Sequence, residues 1–220
     1  MAGTARPGTP PFAYLRDPRE IYRLSFARIR AEIDLSTFAP TCHALVLRLV
    51  HACGMPDLVA DLRLSGEPVT AARAALERGK AILCDTEMVR AGIATRRLPA
   101  SNPLLCTLAS PEVDELAQRF ATTRAAAAVE LWQPWLDGAV VAIGNAPTTL
   151  FHLLERLLAG WPRPAAIFAF PVGFVGAAES KEALLEAGLD IPFVTLLGRR
   201  GGSALAAAAV NAVLCSDDAP

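Results

Sequence analysis

The chain has 220 residues, 53% of them hydrophobic and 20% charged, with 21 Lys and Arg against 22 Asp and Glu and a net charge of −1. The length allows one sizeable core without forcing a split, and the charge balance lacks the bias of nucleic-acid binders or acidic tails, so a small molecule or a protein partner fits better. Apolar stretches are broken every few residues by charge, Gly or Pro, and none reaches the roughly 18 apolar residues of a membrane span.

Residues 1–12, MAGTARPGTPPF, lack the apolar run of a secretory signal and are rich in Pro, Gly and Thr. This predicts a flexible tail ahead of a single domain over 13–216, in a cytoplasmic protein. Asp17-Pro18-Arg19-Glu20 predicts a helix start, with an Asp cap, Pro at the first helical position and Glu three residues after the cap. That helix continues to about Ile33. A second runs over 41–53 and stops at Gly54, a typical left-handed cap, and a third spans 68–78 before Gly79. The first third of the chain is therefore predicted to be helical.

From Lys80 onward, short apolar runs alternate with helical segments. The runs are 81–85, 104–108, 139–144, 165–170 and 193–198, apolar on both faces as buried parallel strands are. Helices are expected near 111–136, 147–159, 177–187 and 203–215. Five β-α repeats predict a three-layer α/β sandwich with a five-stranded, mainly parallel sheet, preceded by a helical N-terminal region.

In such sheets ligands bind beyond the carboxyl ends of the strands. The loops there are Asp85-Thr86, Gly144–Pro147, Pro171–Lys181 and Gly198–Ser203, three of them glycine-rich. Each leads to a helix N-terminus, whose N–H groups and dipole favour anions, and together they suggest a ligand with several negative charges. Glycine also serves turn geometry in such loops, so no single one is diagnostic.

The common catalytic signatures are missing. GNAPTT and GRRGGS depart from the P-loop pattern, and GFVGAA follows the fourth predicted strand instead of the first, so no nucleotide cofactor is expected. No GxSxG or HExxH occurs. Five cysteines without CxxC read as reduced, packed thiols. Cys42, His43, His51 and Cys53 resemble a ligand set, but on one helix Cys42 and Cys53 lie roughly 16 Å apart along the axis, too far for one metal ion, so no metal site is expected. His43 and His152 read as structural or solvent-facing. That leaves RLVHACG, 48–54. Arg48 and His51 share a helix face, and an imidazole with a pKa near 6.5 suits proton transfer. Periodicity by itself leaves His51 open between a packed core residue and a catalyst.

The sequence as a whole resembles the precorrin-8X methylmutase (precorrin isomerase) family of cobalamin biosynthesis. The segments that carry the resemblance are IYRLSFARIRAEIDLS (21–36), RLVHACG (48–54), ILCDTEMV (82–89), TRAAAA (123–128), VVAIGNAPT (140–148), PVGFVGAAESKEAL (171–184) and GRRGGSALAAAAVNA (198–212). It implies a flavodoxin-like homodimer with its active site near the subunit interface. The implied activity is an isomerase that moves a methyl group from C-11 to C-12 of a tetrapyrrole, without cofactor, to give hydrogenobyrinic acid. It places the proton donor on His51 and substrate contacts on Ser25 and Arg48, with Thr123, Arg124, Ser180 and Lys181 near the ligand. The post-strand loops add Gly144, Asn145, Gly173, Arg199, Gly202 and Ser203 to the expected binding surface. A cobalt-precorrin-8 methylmutase and a non-catalytic tetrapyrrole carrier are the alternatives. Two loops depart from the family pattern: Ala121-Thr122 stands where Gly-Asn is expected, and Ser101-Asn102-Pro103 replaces a Gly-Asn-polar loop.

Overall fold

The structure is a computed structural model that describes residues 12–215, so the segment expected to be a tail lies outside it apart from Phe12. Helix α1 (Pro18–Glu32) begins as its sequence predicts: Asp17 is the cap, its carboxylate accepting from the Arg19 N–H at 3.0 Å, with Pro18 opening the helix. A 3₁₀ turn at Pro40–Cys42 leads into α2 (His43–Cys53), which stops at Gly54 with φ 69°. A second 3₁₀ segment, Pro56–Asp61, connects to strand β1 (Leu62–Ser65), followed by α3 (Pro68–Glu77). The remaining elements are β2 (Ile82–Cys84), α4 (Glu87–Gly92), β3 (Leu104–Cys106), α5 (Val113–Arg119), α6 (Arg124–Ala127), β4 (Val140–Ile143), α7 (Pro147–Leu158), β5 (Ala166–Ala169), α8 (Ala177–Glu186), β6 (Phe193–Leu196) and α9 (Ser203–Val213).

The sheet has six strands in the order β1-β6-β5-β4-β2-β3. All five predicted strands are present and pair in parallel, for example Val141 with Ile167 and Cys84 with Cys106. Taken alone they run 2-1-3-4-5, the flavodoxin order, whose switch point falls here between β2 and β4. The expectation of five strands is corrected to six. β1 joins antiparallel to β6, Leu62 opposite Leu196, inside the third of the chain read as helical. Its four residues LRLS alternate in and out, too short a period-2 signal to stand out between helices.

Alternate side chains feed two core layers. Ile82, Cys84, Val140, Ala142 and Phe168 pack with α2, α3 and α9, while Leu83, Val141, Ile143 and Ile167 pack with α7, α8 and a 3₁₀ segment at Ala128–Trp135. This is the expected three-layer sandwich.

The helix expected near 111–136 is broken. α5 ends where Ala121 takes φ 47°, the only non-glycine residue with positive φ among those described. The Thr122 N–H reaches back to the Ala117 carbonyl at 3.0 Å, closing a left-handed cap. Thr123 then starts α6, its hydroxyl accepting from the Ala126 N–H at 3.2 Å. Pro134 lies within the 3₁₀ segment. Position 121 is one of the two places where the family resemblance leads to Gly being expected, and Gly adopts this backbone at no steric cost.

Candidate active site

Tyr22, Ser25 and Phe26 lie on one face of α1, and that face packs on the last turn of α2, where His51 sits. Ser25 Oγ is 2.8 Å from His51 Nδ1. Phe26 stacks on the imidazole with ring centroids 5.2 Å apart and 20° between planes, and Tyr22 lies 5.5 Å away, tilted by 32°. The ring is thus held by one hydrogen bond and two aromatic neighbours, which fixes its orientation. Partial burial pushes the His51 pKa below the usual histidine value, and the nearby Arg48 guanidinium adds to the effect. Arg48 itself lies over the Phe26 ring at 6.0 Å.

His51 and Ser25 line an open cleft of about 480 Å³, together with Leu24, Arg28, Ile29 and Pro56. A larger neighbouring cleft, about 740 Å³, shares Glu32 and Pro56 with it but is bordered by Asp34 and Asp57 against a single guanidinium, Arg63. The larger cleft carries more carboxylates, and the smaller one holds the imidazole. The sequence did not single out Tyr22, Phe26 or Arg28, although the i, i+3, i+4 spacing of Tyr22, Ser25 and Phe26 places them on one face.

A second group of the expected residues gathers at the carboxyl ends of the strands. The buried Asp85, directly after β2, accepts from the Gly144 N–H at 2.9 Å with one carboxylate oxygen and from Asn145 and Ala146 at 2.8 and 3.0 Å with the other. Burial raises its pKa, and the three N–H groups oppose the rise. The N–H groups of Gly144 and Asn145 therefore serve an internal carboxylate at the switch point and not an external anion. Gly144 is required by packing: a Cβ there would lie 2.6 Å from Ser203 Cα and 2.7 Å from Val89 Cγ2. Ser203 Oγ lies 3.3 Å from Thr86 Oγ1.

The next two loops are tied to each other. The Gly173 N–H donates to the Arg199 carbonyl at 3.2 Å and the Gly202 N–H to Phe170 at 2.8 Å. Arg199 lies over the exposed Phe174 ring at 5.3 Å. Ser180 is buried and donates to the Ala177 carbonyl at 3.2 Å. Lys181 is fully buried, its Nζ donating to the Arg200 carbonyl at 2.7 Å, and burial lowers its pKa to about 8. Lys181 thus supports the β6–α9 loop from inside, while Ser180 bonds within its own helix. Thr123 bonds to Thr148 at 2.8 Å, and Arg124 pairs with Asp114 and donates to the Leu108 carbonyl at 3.2 Å.

The two groups meet through Arg200. Its guanidinium donates to Asp57 at 2.6 Å and Asp61 at 2.7 Å, in the 3₁₀ segment that follows α2. This holds the end of α2 that carries His51 at the carboxyl end of the sheet. Thr123 and Arg124 belong to the opposite helical layer and do not line the His51 cleft. His152 is accounted for structurally, its Nε2 lying 2.5 Å from Glu130, which also accepts from Arg156 at 2.6 Å. His43 lies 3.1 Å from the Phe38 carbonyl. Among the described residues, no three His, Cys, Asp or Glu side chains are grouped to hold a metal ion, and no helix is long and apolar enough to cross a membrane.

The family model for precorrin-8X methylmutase matches residues 20–216. The precorrin-8X methylmutase of Pseudomonas aeruginosa is 55% identical over 200 residues, covering 91% of this chain and 96% of the relative. The cobalt-precorrin-8 methylmutase of Methanothermobacter thermautotrophicus is 41% identical, covering 89% of this chain and 91% of the relative. The crystal structure of the precorrin-8X methyl mutase from Thermus thermophilus superposes with a TM-score of 0.80 at 39% identity, covering 89% of this chain and 94% of that one. With a matched sequence over nearly its whole length, a shared fold and an imidazole oriented at the mouth of a cleft, this chain belongs to the precorrin-8X methylmutase family.

Proposed function

We propose that this protein is a precorrin-8X methylmutase, an isomerase that moves the methyl group from C-11 to C-12 of its tetrapyrrole substrate, with His51 as the proton donor. The observation that carries the role of His51 is its contact set: a hydroxyl on Nδ1 and two aromatic rings against the imidazole, in a cleft open to solvent. A methyl shift within the ring needs no redox partner and no covalent nucleophile, only a proton placed to favour the rearranged electron system. In the charged ring the Nδ1 proton is donated to Ser25 Oγ, so Nε2 is the nitrogen that delivers its proton. After the transfer the same hydrogen bond keeps the remaining proton on Nδ1, so the bare Nε2 can take up the proton that the rearranged ring releases and the cycle closes without net proton change. The lowered pKa makes the imidazolium a stronger acid than free histidine.

The metal-free substrate is favoured over the cobalt form by identity: 55% to a relative named for precorrin-8X against 41% to one named for cobalt-precorrin-8. Assembly as a homodimer agrees with the solvent-facing apolar side chains on the β5–α8 loop, where Phe174 is 84% and Val175 89% exposed.

The test is conversion of precorrin-8X by purified enzyme, followed by absorption, with cobalt-precorrin-8 run in parallel. His51→Ala is expected to slow turnover by about 10²- to 10⁴-fold, the range of a general acid, while still binding product. Near-native turnover by His51→Ala refutes the assignment. Stoichiometric binding without repeated turnover by the native protein points to a carrier instead.

A further inference from the structure

Helix α1 presents to the His51 cleft a stripe of Ile21, Leu24, Ser25, Arg28, Ile29 and Glu32. Arg28 is exposed in this stripe, so its guanidinium is free to meet an anion that enters the cleft.

Three nearby cations are engaged. Arg23 is held by Glu20 at 2.6 and 2.7 Å, Arg48 lies against Phe26, and Arg200 holds Asp57 and Asp61. Arg28 has no carboxylate partner among the described residues, not even Glu32 four residues on. Among the described residues it is also the only guanidinium lining this cleft. Three residues of helix separate it from Ser25, about 4.5 Å along the axis, so a guanidinium at the end of its flexible arm can reach an anion beside the imidazole.

We infer that Arg28 is the substrate-anchoring residue of this cleft, binding a side-chain carboxylate of the tetrapyrrole so that the ring carbon to be protonated faces His51 Nε2. This rests on the proposed role of the cleft in the methyl shift. The guanidinium fork matches a carboxylate in geometry as well as charge. Holding the ring by a peripheral group fixes the reacting carbon against the imidazole. Glu32, one turn further along the same stripe, repels a second carboxylate and so restricts the register in which the macrocycle lies.

The experiment compares native protein with Arg28→Gln and Arg28→Lys. Affinity for hydrogenobyrinic acid is titrated at low and high salt and again with the fully amidated product, and KM and kcat are measured with precorrin-8X. The expected result is a loss of product affinity of about three- to ten-fold in Arg28→Gln at low salt, the scale of an ion pair in an open cleft. KM rises to match and kcat falls by a few-fold as the ring loses its fixed orientation, Arg28→Lys recovers part of both losses, and the amidated product binds all three proteins alike. A loss smaller than three-fold, or one of equal size with the amidated ligand, overturns the inference. The reading on which it rests fails separately: His51→Ala would then turn over normally, whatever the Arg28 variants bind.

Discussion

Ser25→Ala separates two roles for this hydroxyl, because removing a substrate contact and removing a ring-orienting hydrogen bond change different kinetic constants. The bond measures 2.8 Å to His51 Nδ1 and is partly buried. A hydrogen bond to a charged group contributes about 1.5–3 kcal/mol, which corresponds to roughly 10- to 150-fold in rate if it acts in the transition state. Phe26 and Tyr22 continue to hold the plane of the ring after the hydroxyl is gone, so the lower end applies. We expect kcat to fall about ten-fold with KM within two-fold, and product affinity to stay unchanged. The assay is single-turnover and steady-state conversion of precorrin-8X, with an equilibrium titration of product. If the whole loss appears in KM and in product affinity, Ser25 is a substrate ligand and the orienting argument is wrong. If kcat stays within two-fold, the hydrogen bond plays no part in the reaction.

Three further outcomes follow from the same geometry. Arg48→Met removes a positive charge that lowers the His51 pKa, so the donor stays protonated to higher pH and the alkaline limb of the kcat profile moves upward; an unmoved limb argues against His51 as the titrating acid. Ala121→Gly relieves a left-handed backbone at φ 47°, where an L-residue costs about 1–2 kcal/mol and glycine adds about 0.4–1 kcal/mol of unfolded-state entropy. Urea unfolding should show a gain of up to about 1 kcal/mol, and a loss would show that Ala121 is not strained. Lys181 has a folded pKa lowered to about 8 from an ordinary 10.5, so between those values the unfolded chain holds a proton that the folded chain has released, and this residue makes stability rise with pH. The stability difference between native protein and Lys181→Met should therefore move in favour of native between pH 7.5 and 10; a constant difference rules out the shift.

The strands and most helix boundaries were legible because they depend on local pattern. The buried runs such as VVAI at 140–143 are apolar on both faces, and Asp17 and Gly54 mark a helix start and stop by their chemistry. What escaped depends on partners distant in sequence. β1 becomes a strand because β6 is there to pair with it. The break in the segment near 111–136 follows from an alanine in a left-handed conformation, and alanine otherwise favours helix. In the candidate site, His51 and Arg48 were visible as a pair on one face. The Ser25–His51 contact spans 26 residues and was not foreseen, since the family resemblance brought in Ser25 only as a substrate contact. Asp85 shows the limit of reading loops for anion binding: the turn Gly144–Ala146 has the expected N–H groups, but a carboxylate some 60 residues earlier in the chain already occupies them.

The ends of the sheet bear on how two copies of this chain can meet. One boundary strand, β1, has four residues, and the other, β3, has three. A ladder extended across a subunit boundary from either would gain only a few hydrogen bonds, and short outer strands are one of the ways natural sheets prevent growth by edge pairing. In the proposed homodimer, association would then run through helices and connecting loops, where side-chain chemistry and not the repeating backbone decides which surfaces recognise each other. Such a contact would be specific by construction, and it would leave the carboxyl ends of the strands free to face a neighbour across a shared space.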